Sequence, residues 1–437
     1  MPAEPSPPSD ESRDCAGETA VDVAIVGAGA AGLMCAIQLA RAAPPGARVL
    51  LLDGARKPGA KILVAGGGRC NVTHRSVHER DYCGGSANAI RRVLRRFDVD
   101  DTRQFFDELG VPLVEEEGGK LFPRSNRARS VLDALLGELR RCGVVLRPSS
   151  RVASLSRDQC GFRLFCADGS ELRCRHLVLA SGGCSMPKTG SDGGGHRLAQ
   201  ALGHRLVEPL SPALVPLLLP AGHWLRELAG LSASVTLQVQ SANGKRLAAC
   251  SGALLCTHFG ISGPAVLDVS RHWLAARRAD PAVRLRVDWL PAADDSQLGE
   301  ELRGAARSVE RWLAERLPAR LAAQLCHCAG LPAGLRCDQL RREQRRALLQ
   351  WLRDCALPAC GDRGFKYAEV TAGGVALDEV GPRDMASRRC PGLYLCGELL
   401  DVDGRIGGFN FQWAWASGAV AGRALAERLR GAGQRVE

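Results

Sequence analysis

The residues best suited to bind a phosphate-bearing ligand form a glycine pattern near the start of the chain, at Gly27, Gly29 and Gly32. In such a pattern the first glycine permits a tight turn, the second lets the backbone approach a pyrophosphate, and the third allows close packing of a helix on a strand. The apolar run 21–26 precedes the glycines and a helix-forming segment follows them. This strand–turn–helix context predicts a dinucleotide site, with phosphates at the helix N-terminus.

An acidic residue ends the next apolar run. Asp53 directly follows the run 49–52, about 20 residues beyond Gly32. A carboxylate at the end of the second strand of a βαβ unit can accept hydrogen bonds from ribose hydroxyls and repel a 2′-phosphate. The alternative is a glycine turn that is followed by an acid by chance, and the regular strand–helix–strand spacing argues against it.

A second group of chemically capable residues lies near the C-terminus, after the apolar run 392–397. Gly397 and Glu398 end that run, and Gly407 and Gly408 open the last helix. An acid in this position can bind the ribityl chain of a flavin, and the helix N-terminus can stabilise negative charge on the reduced ring. The alternative is an acidic surface loop before a helix. Because the dinucleotide pattern is also present, we favour the flavin and predict that the cofactor is FAD.

The loop 61–71 is rich in glycine and basic residues. Its glycines 66–68 permit a close approach of the backbone to a flat ring or a phosphate. Lys61 and Arg69 are predicted to contact anionic groups. Cys70 is either a redox partner of the flavin or an unreactive thiol, and the lack of any Cys-x-x-Cys pair favours the unreactive thiol.

A polar, glycine-containing loop at 256–264 lies in the middle of the chain and is a candidate to cap the flavin and line a substrate pocket. It contains His258, which is either a proton donor or a structural histidine. His258 is the one residue in the chain for which we consider a catalytic role.

Composition limits the class of protein. The 437 residues are 46% hydrophobic and 24% charged, as in soluble globular proteins, and the length suits two or three domains. No run of about 20 apolar residues and no secretory signal are visible, so we expect a cytoplasmic protein and no membrane partner. The 18 cysteines fit no zinc pattern, and we expect small buried thiols, without disulfides or metal.

The net charge of +11 is carried mostly by arginine, including clusters within 91–96 and 341–346. Such clusters form either a solvated helix face or a patch that follows nucleic-acid phosphates, and we favour the solvated face.

The candidate residues must be positioned by regular secondary structure. Strands are predicted at 21–26, 49–52, 144–147, 162–167, 171–174, 176–180, 234–240, 247–257, 283–289 and 392–397, and a hairpin at 113–122. Helices are predicted at 88–109, 128–142, within 295–355 and at 410–430.

Several motifs together resemble the BaiN/YhiN-type flavoproteins. This family is described as NAD(P)/FAD-dependent oxidoreductases and sometimes as aminoacetone oxidase family enzymes. The resemblance rests on VAIVGAGAAGL (23–33), KILVAGGGRCNVT (61–73), LASGGCSMPKTGSDGGGH (179–196), SPALVPL (211–217), THFGISGPAVLDVS (257–270), EVTAGGV (369–375) and PGLYLCGELLDVDGRIGGFNFQWAWASG (391–418). Two departures are visible. The ribose acid is Asp53 where glutamate is usual, and the segment 190–196 has glycine at position 194 where the family tends to have aspartate.

The resemblance implies an α/β fold: a Rossmann-like, glutathione-reductase-like FAD-binding domain with an inserted β-barrel-like domain and a small helical domain. We expect a disordered tail at 1–20, the FAD-binding domain at 21–205 and 372–437, the β domain at 206–293 and 358–371, and the helical domain at 294–357. The residues expected to bind FAD are Gly27, Gly29, Ala30, Ala31, Gly32, Asp53, Lys61, Gly66, Gly67, Arg69, Asn71, Val152, Ala180, Gly182, Gly397, Glu398, Gly407, Gly408, Phe409 and Asn410.

The sequence leads to two main hypotheses on function and to a third, a flavin-based sensor or scaffold without turnover, which we favour less. The first is an FAD-dependent oxidoreductase that transfers hydride between flavin N5 and a small organic substrate, without nucleic acid as a partner. NAD(P)H would donate electrons after docking transiently, because no second strand–GxGxxG–helix unit is present. The second is a flavin-dependent protein that modifies RNA, which the basic charge suggests.

Overall fold

The computed structural model describes residues 20–433. Its helices are α1 (Ala30–Ala42), α2 (Ala60–Val64), α3 (Ala87–Leu94), α4 (Val99–Glu108), α5 (Ala128–Arg141), α6 (Gly194–Ala201), α7 (Trp224–Glu227), α8 (Pro264–Ala279), α9 (Asp295–Gly304), α10 (Val309–Ala314), α11 (Ala319–Cys328), α12 (Arg342–Arg353) and α13 (Phe409–Gly433). None of the described helices is long and apolar enough to cross a membrane.

The strands are β1 (Ala20–Val26), β2 (Val49–Leu52), β3 (Thr73–His74), β4 (Tyr82–Gly84), β5 (Leu113–Glu116), β6 (Lys120–Pro123), β7 (Val145–Arg147), β8 (Val152–Asp158), β9 (Gly161–Cys166), β10 (Glu171–Leu179), β11 (Leu206–Ala213), β12 (Leu217–Leu218), β13 (Ser232–Gln240), β14 (Arg246–Thr257), β15 (Gly260–Ser262), β16 (Arg284–Asp288), β17 (Cys355–Leu357), β18 (Gly361–Asp362), β19 (Val370–Val375), β20 (Leu393–Leu395) and β21 (Val402–Gly404).

The chain divides into two compact units. Unit 1 contains the residues up to Leu210 and those from Gly373 onward, and unit 2 is Ser211–Ala372. The chain leaves unit 1 along β11 and returns along β19. The tail expected at 1–20 lies outside the described residues except for Ala20, which opens β1. The finer division of the middle into a β domain and a helical domain stays a prediction.

Unit 1 is built on a sheet in the order β7-β2-β1-β10-β9-β8, with β20 also paired to β10. The pairs among β7, β2, β1, β10 and β20 are parallel, and β9 and β8 are antiparallel. Parallel strands have their carboxyl ends at one edge, so the loops after β1, β2, β10 and β20 leave the sheet together. The C-terminal part of the chain therefore completes the same sheet as the N-terminal part.

Helix α13 packs lengthwise on α1 because two of its glycines leave no room for side chains. A Cβ atom on Gly418 would lie 2.4 Å from the carbonyl oxygen of Ala31, and one on Gly422 would lie 2.4 Å from that of Cys35. The same helix connects distant segments through Gln412. The buried side-chain oxygen of Gln412 accepts a hydrogen bond from the hydroxyl of Thr73 at 2.7 Å. Both chain ends are thereby locked into one hydrophobic core.

Three sequence predictions for unit 1 were wrong in detail. The helix expected at 88–109 is two helices, because the Asp98 side chain accepts hydrogen bonds from the backbone of Asp100 and Asp101 and starts α4. The strands expected at 171–174 and 176–180 are one strand, β10. Cys160 is disulfide-bonded, contrary to the expectation of no disulfides.

Unit 2 is built on an antiparallel sheet in the order β17-β16-β13-β14-β15-β12-β18. Helix α8 packs on β13 and β14. The helical segment shares this core, since Trp312 and Leu321 belong to the same hydrophobic cluster as Val235 and Leu237. Among the described strands, no pairing joins the two ends of this order, β17 and β18, so a closed barrel stays a prediction.

Replacing Gly418 tests the close packing of α13 on α1. Gly418→Ala should lower the free energy of unfolding by about 1–3 kcal/mol, because its Cβ would overlap a backbone oxygen that cannot move aside. Gly431→Ala is the matched control on the same helix, since no atom lies within 4 Å of its Cβ, and it should be neutral or slightly stabilising. Urea unfolding followed by circular dichroism measures both variants. Equal stability of the two variants would contradict the packing described.

Candidate functional site

The turn after β1 has the geometry that its three glycines predict. Gly27 adopts a φ of +106°, and a Cβ there would lie 2.5 Å from the carbonyl oxygen of Ala180. A Cβ on Gly32 would lie 1.8 Å from the carbonyl oxygen of Gly27. Gly29 differs, because a Cβ there would meet no atom within 4 Å. Gly27 and Gly32 are therefore required by packing, whereas Gly29 leaves open space beside the start of α1.

The carboxylate of Asp53 is fixed against this turn. One oxygen accepts a hydrogen bond from the backbone N–H of Ala28 at 2.7 Å, and the other accepts one from Ala55 at 2.7 Å. Burial raises the pKa of Asp53, and the two backbone hydrogen bonds oppose that shift. Since each carboxylate oxygen has a second lone pair, Asp53 can still accept hydrogen bonds from ribose hydroxyls.

Backbone hydrogen bonds bring the ends of four strands together. The N–H of Gly27 donates to Leu52 at 2.8 Å, that of Ala180 to Val26 at 2.9 Å, and that of Cys396 to Leu179 at 3.1 Å. The glycine turn, the ribose acid, the end of β10 and the C-terminal motif are thus consecutive along one sheet edge. This is the arrangement in which open α/β sheets bind dinucleotides.

The turn at Gly397 is held between the first and last helices. Gly397 has a φ of +76°, and a Cβ there would lie 2.8 Å from the Cβ of Ala31. Its N–H donates to the hydroxyl of Ser417 at 3.0 Å, and its carbonyl accepts from the indole N–H of Trp413 at 3.1 Å. Both helices therefore fix the backbone immediately before Glu398.

The two cations expected to contact anionic groups are paired within the chain. Lys61 Nζ lies 2.5 Å from a carboxylate oxygen of Glu398. Arg69 lies 2.8 Å from Glu116 and stacks over the ring of Phe122 at 4.0 Å from its centroid. The Lys61–Glu398 pair joins the glycine-rich loop to the C-terminal motif, a contact that no spacing in the sequence indicates.

The start of α13 is crowded against β3. A Cβ on Gly408 would lie 2.6 Å from the carbonyl oxygen of Thr73. Asn410 accepts a hydrogen bond from the N–H of Gly404 at 2.8 Å and donates one to the carbonyl of the same residue at 2.8 Å. Asn410 therefore positions the loop before α13, and direct contact of its side chain with FAD stays a prediction.

Sequence reasoning missed His74. Its ring stacks on that of Phe409, with centroids 4.8 Å apart. Its Nδ1 lies 2.8 Å from the carbonyl oxygen of Ser76 and its Nε2 lies 2.8 Å from that of Gly118. A lone histidine three residues beyond the loop 61–71 carries no local signal, and only the folded chain brings it to the flavin-end motif.

A carboxylate lies close to position 194, where this chain departs from the family pattern. A Cβ on Gly194 would lie 3.1 Å from a carboxylate oxygen of Asp192, so this carboxylate occupies the space beside position 194. Asp192 also lies 2.7 Å from Arg151, and hydrogen bonding from Arg151 lowers the pKa of Asp192. The ion pair of Arg151 and Asp192 therefore lies beside position 194.

The polar atoms of the site fit a dinucleotide. The Asn71 side-chain oxygen and the Ser181 hydroxyl are buried without a hydrogen-bond partner among the described residues. Buried polar atoms of this kind are commonly satisfied by a ligand or water. Together with the open space at Gly29, they give FAD both room and hydrogen-bonding groups. The residues therefore fit FAD.

The other candidates are placed as follows. Val152 opens β8, while Ala180 and Gly182 follow β10. Gly66 and Gly67 have positive φ angles of 57° and 69°. Their contacts with FAD stay predictions.

Cys70 and His258, the candidates for redox chemistry and for proton transfer, differ in their burial. Burial raises the pKa of Cys70 to about 12, which supports the interpretation as an unreactive thiol. His258 is exposed in unit 2, and its ring packs edge-on against Phe259 at 5.0 Å between centroids. Its role as a proton donor stays a prediction.

No group of three or more metal-binding side chains is arranged to hold a metal ion within residues 20–433.

Known proteins resemble this chain over nearly its whole length. The HI0933-like protein Rossmann domain family matches residues 21–424. The chain is 36% identical over 400 residues to the ribosomal RNA dihydrouridine synthase of Escherichia coli (strain K12), covering 91% of this chain and 96% of that protein. It is also 36% identical over 412 residues to the 3-dehydro-bile acid delta(4,6)-reductase of Clostridium scindens, covering 93% and 99%.

Solved structures support the fold. The 3-ketosteroid delta1-dehydrogenase of Sterolibacterium denitrificans aligns with a TM-score of 0.52 at 13% identity, covering 94% of this chain and 100% of that chain. The Sdh1 complex of Mycobacterium smegmatis aligns with a TM-score of 0.50 at 17% identity, covering 94% of this chain and 69% of that chain. At these identities the likeness shows the shared fold alone.

The difference between Gly29 and Gly32 predicts two distinct defects. Gly29→Val should lose FAD but keep the melting temperature of the wild-type apoprotein, because its side chain enters only the space for the pyrophosphate. Gly32→Val should lower that melting temperature, because its Cβ overlaps the backbone. Flavin absorbance and thermal melts of the apoproteins measure the two effects. Full flavin content in Gly29→Val would contradict this placement of the pyrophosphate.

The family match, the near-complete coverage of the relatives and the geometry of the sheet edge lead to one assignment. The matched residues 21–424 include both chain ends that build the site. The chain belongs to the HI0933-like family of Rossmann-fold, FAD-dependent oxidoreductases.

Proposed function

We propose that this enzyme reduces an electron-poor carbon–carbon double bond and that its substrate is a uridine in ribosomal RNA. Near-full-length similarity to a ribosomal RNA dihydrouridine synthase carries the proposal, at 36% identity over 400 residues. A second such synthase, from Haemophilus influenzae, is 31% identical over 400 residues and covers 90% of the chain. The proposal adopts the second hypothesis from the sequence and replaces the expected small organic substrate with RNA.

The two relatives at 36% identity have different substrates but a common kind of reaction. Dihydrouridine is uridine whose C5=C6 bond is saturated, and that bond is conjugated with the C4 carbonyl. A 3-dehydro steroid with a Δ4 double bond likewise has an alkene conjugated with a carbonyl. In both cases hydride adds to the carbon remote from the carbonyl and a proton adds to the carbon next to it. Reduction of a conjugated double bond is therefore the reaction class proposed for this chain.

FAD, when bound, supplies the hydride, and NAD(P)H is the proposed source of its two electrons. The chain's own residues hold the cofactor and orient its ring. The backbone turn at Gly397 is locked by Ser417 and Trp413, and Glu398 is held by Lys61. The start of α13 behind Gly408 presents the positive end of a helix dipole, which favours negative charge at the reduced ring.

The exposed arginines of unit 2 are compatible with an RNA substrate. Arg341, Arg342, Arg345 and Arg346 lie at the start of α12, and none of them pairs with a carboxylate of the described residues. Three of these side chains, all but that of Arg345, are exposed. The whole chain carries a net charge of +11. Unpaired arginines attract a phosphate backbone, as an RNA substrate requires.

The decisive experiment is reduction of ribosomal RNA from cells that lack this protein. Purified FAD-loaded enzyme with NADPH or NADH should convert uridine to dihydrouridine, which is 2 Da heavier by the addition of two hydrogens and is measured by nucleoside mass spectrometry. Gly29→Val serves as the control without cofactor. RNA that stays unchanged under these conditions would contradict the proposal.

A small conjugated ketone is the second candidate, because the bile acid reductase relative is equally identical. A 3-keto-Δ4,6 steroid is offered to the same enzyme with the same electron donors. NAD(P)H oxidation that requires the steroid, with no dihydrouridine formed in RNA, would favour this candidate over the first. The two substrates thus separate the hypotheses in one set of assays.

A further inference from the structure

Three short segments of unit 2 meet at one end of its sheet. Strand β12 pairs with β15 on one side and with β18 on the other. The N–H of Leu219 donates to the carbonyl of Phe259 at 3.2 Å, and the N–H of Arg363 donates to the carbonyl of Pro216 at 3.2 Å. Phe259 and Arg363, which are about 100 residues apart in the chain, are therefore fixed side by side.

The guanidinium of Arg363 lies against two aromatic rings. It is 4.2 Å from the ring centroid of Phe259 and 3.5 Å from that of Tyr367. No carboxylate of the described residues pairs with it. Flat stacking leaves the N–H groups at the guanidinium edge available for a phosphate or a carbonyl. The charge of Arg363 is thus positioned by aromatic rings and is not neutralised.

A tight turn holds the second ring in place. The N–H of Gly364 donates to the carboxylate of Asp362 at 2.6 Å, and the N–H of Tyr367 donates to the carbonyl of Gly364 at 3.0 Å. Tyr367 is nevertheless 40% exposed, which is unusual for a large aromatic side chain in this protein. One region of its ring therefore faces solvent while another packs on Arg363.

Further basic groups surround the rings. Lys366 is exposed, and its ammonium lies 5.4 Å from the ring centroid of Tyr367. Arg226 donates a hydrogen bond to the carbonyl of His258 at 2.8 Å and so fixes the loop that carries Phe259. The exposed imidazole of His258 packs on the edge of Phe259. We name the set Phe259, Arg363, Lys366 and Tyr367, with His258 at its edge, the aromatic–cationic platform.

We propose that the aromatic–cationic platform binds a single-stranded stretch of the RNA substrate, with a base stacked on Tyr367 and the adjoining phosphate at Lys366 and Arg363. Aromatic rings that alternate with cations are the means by which proteins hold unpaired nucleotides without reading their sequence. The negative phosphate complements the unpaired positive charges. This inference rests on the proposed function, since it assigns a binding surface to the RNA substrate.

The alternative is a purely structural role, in which the stacked Arg363 only stiffens the turn of Tyr367. The structural role and the binding role predict different effects of removing the Tyr367 ring. A structural role predicts a lower melting temperature when the ring is removed. A binding role predicts weaker RNA binding at an unchanged melting temperature, because the exposed part of the ring supports no core contact.

The test uses the FAD-loaded full-length enzyme and a fluorescein-labelled, mixed-sequence single-stranded RNA, followed by fluorescence anisotropy. Tyr367→Ala should raise Kd about tenfold or more, and Tyr367→Phe should stay close to wild type because it keeps the ring. Leu247→Ala is the matched control, since Leu247 is also an exposed apolar side chain of unit 2, 48% exposed. NADPH-dependent reduction of a dye should stay unchanged in all three variants.

Charge is tested separately by salt dependence. Lys366→Gln should reduce the slope of log Kd against log salt by about one, because one phosphate contact is lost. Arg284→Gln removes an equal charge from an exposed position of the same unit and should leave the slope unchanged. Equal slopes for the two variants, or wild-type binding by Tyr367→Ala, would overturn the platform.

The outcomes separate the inference from the proposed function. If the wild type converts uridine and Tyr367→Ala does so with the same KM, the platform is wrong and the function stands. If the wild type binds RNA through Tyr367 but forms no dihydrouridine, the platform stands and the function is wrong. If the wild type neither binds nor converts RNA, both are wrong.

Discussion

The pairing of β20 with β10 is the contact on which the rest of the site depends. It joins residues more than 200 positions apart along the chain and places Gly397 at the same sheet edge as Gly27 and Asp53. Parallel pairing also fixes direction, because it aligns the carboxyl ends of the strands. Without it, the dinucleotide end and the flavin end of the site would be separate pieces of chain.

Glycine residues allow helix α13 to pack closely on the rest of unit 1. Gly418 and Gly422 let α13 lie against the backbone of α1, and Gly408 lets the start of α13 approach Thr73. Gly29 is different, since the space beside it is open, and its contact with a ligand stays a prediction. The neighbouring atoms therefore distinguish glycines that packing requires from one that packing does not require.

Much of unit 1 could be predicted from the sequence because its signals are local. The glycine turn, the hairpin at 113–122 and the last helix follow from periodicity and turn residues over short windows, whereas the fold class was implied by the family resemblance. Two of the wrong predictions concern where elements begin and end. Asp98 caps a new helix inside a segment with continuous helical periodicity, and β10 runs on through a segment that was divided in two.

The sequence by itself determined that both chain ends carry halves of an FAD site, since each half has its own strand–glycine–helix pattern. The tertiary structure alone decided what the polar residues do within it. It paired Lys61 with Glu398 and placed Asp192 beside Gly194. In unit 2, outside this site, it placed Arg363 against two aromatic rings. Backbone patterns repeat over a few residues and can be recognised locally, whereas side-chain partners are set by contacts between segments that no spacing along the chain reveals.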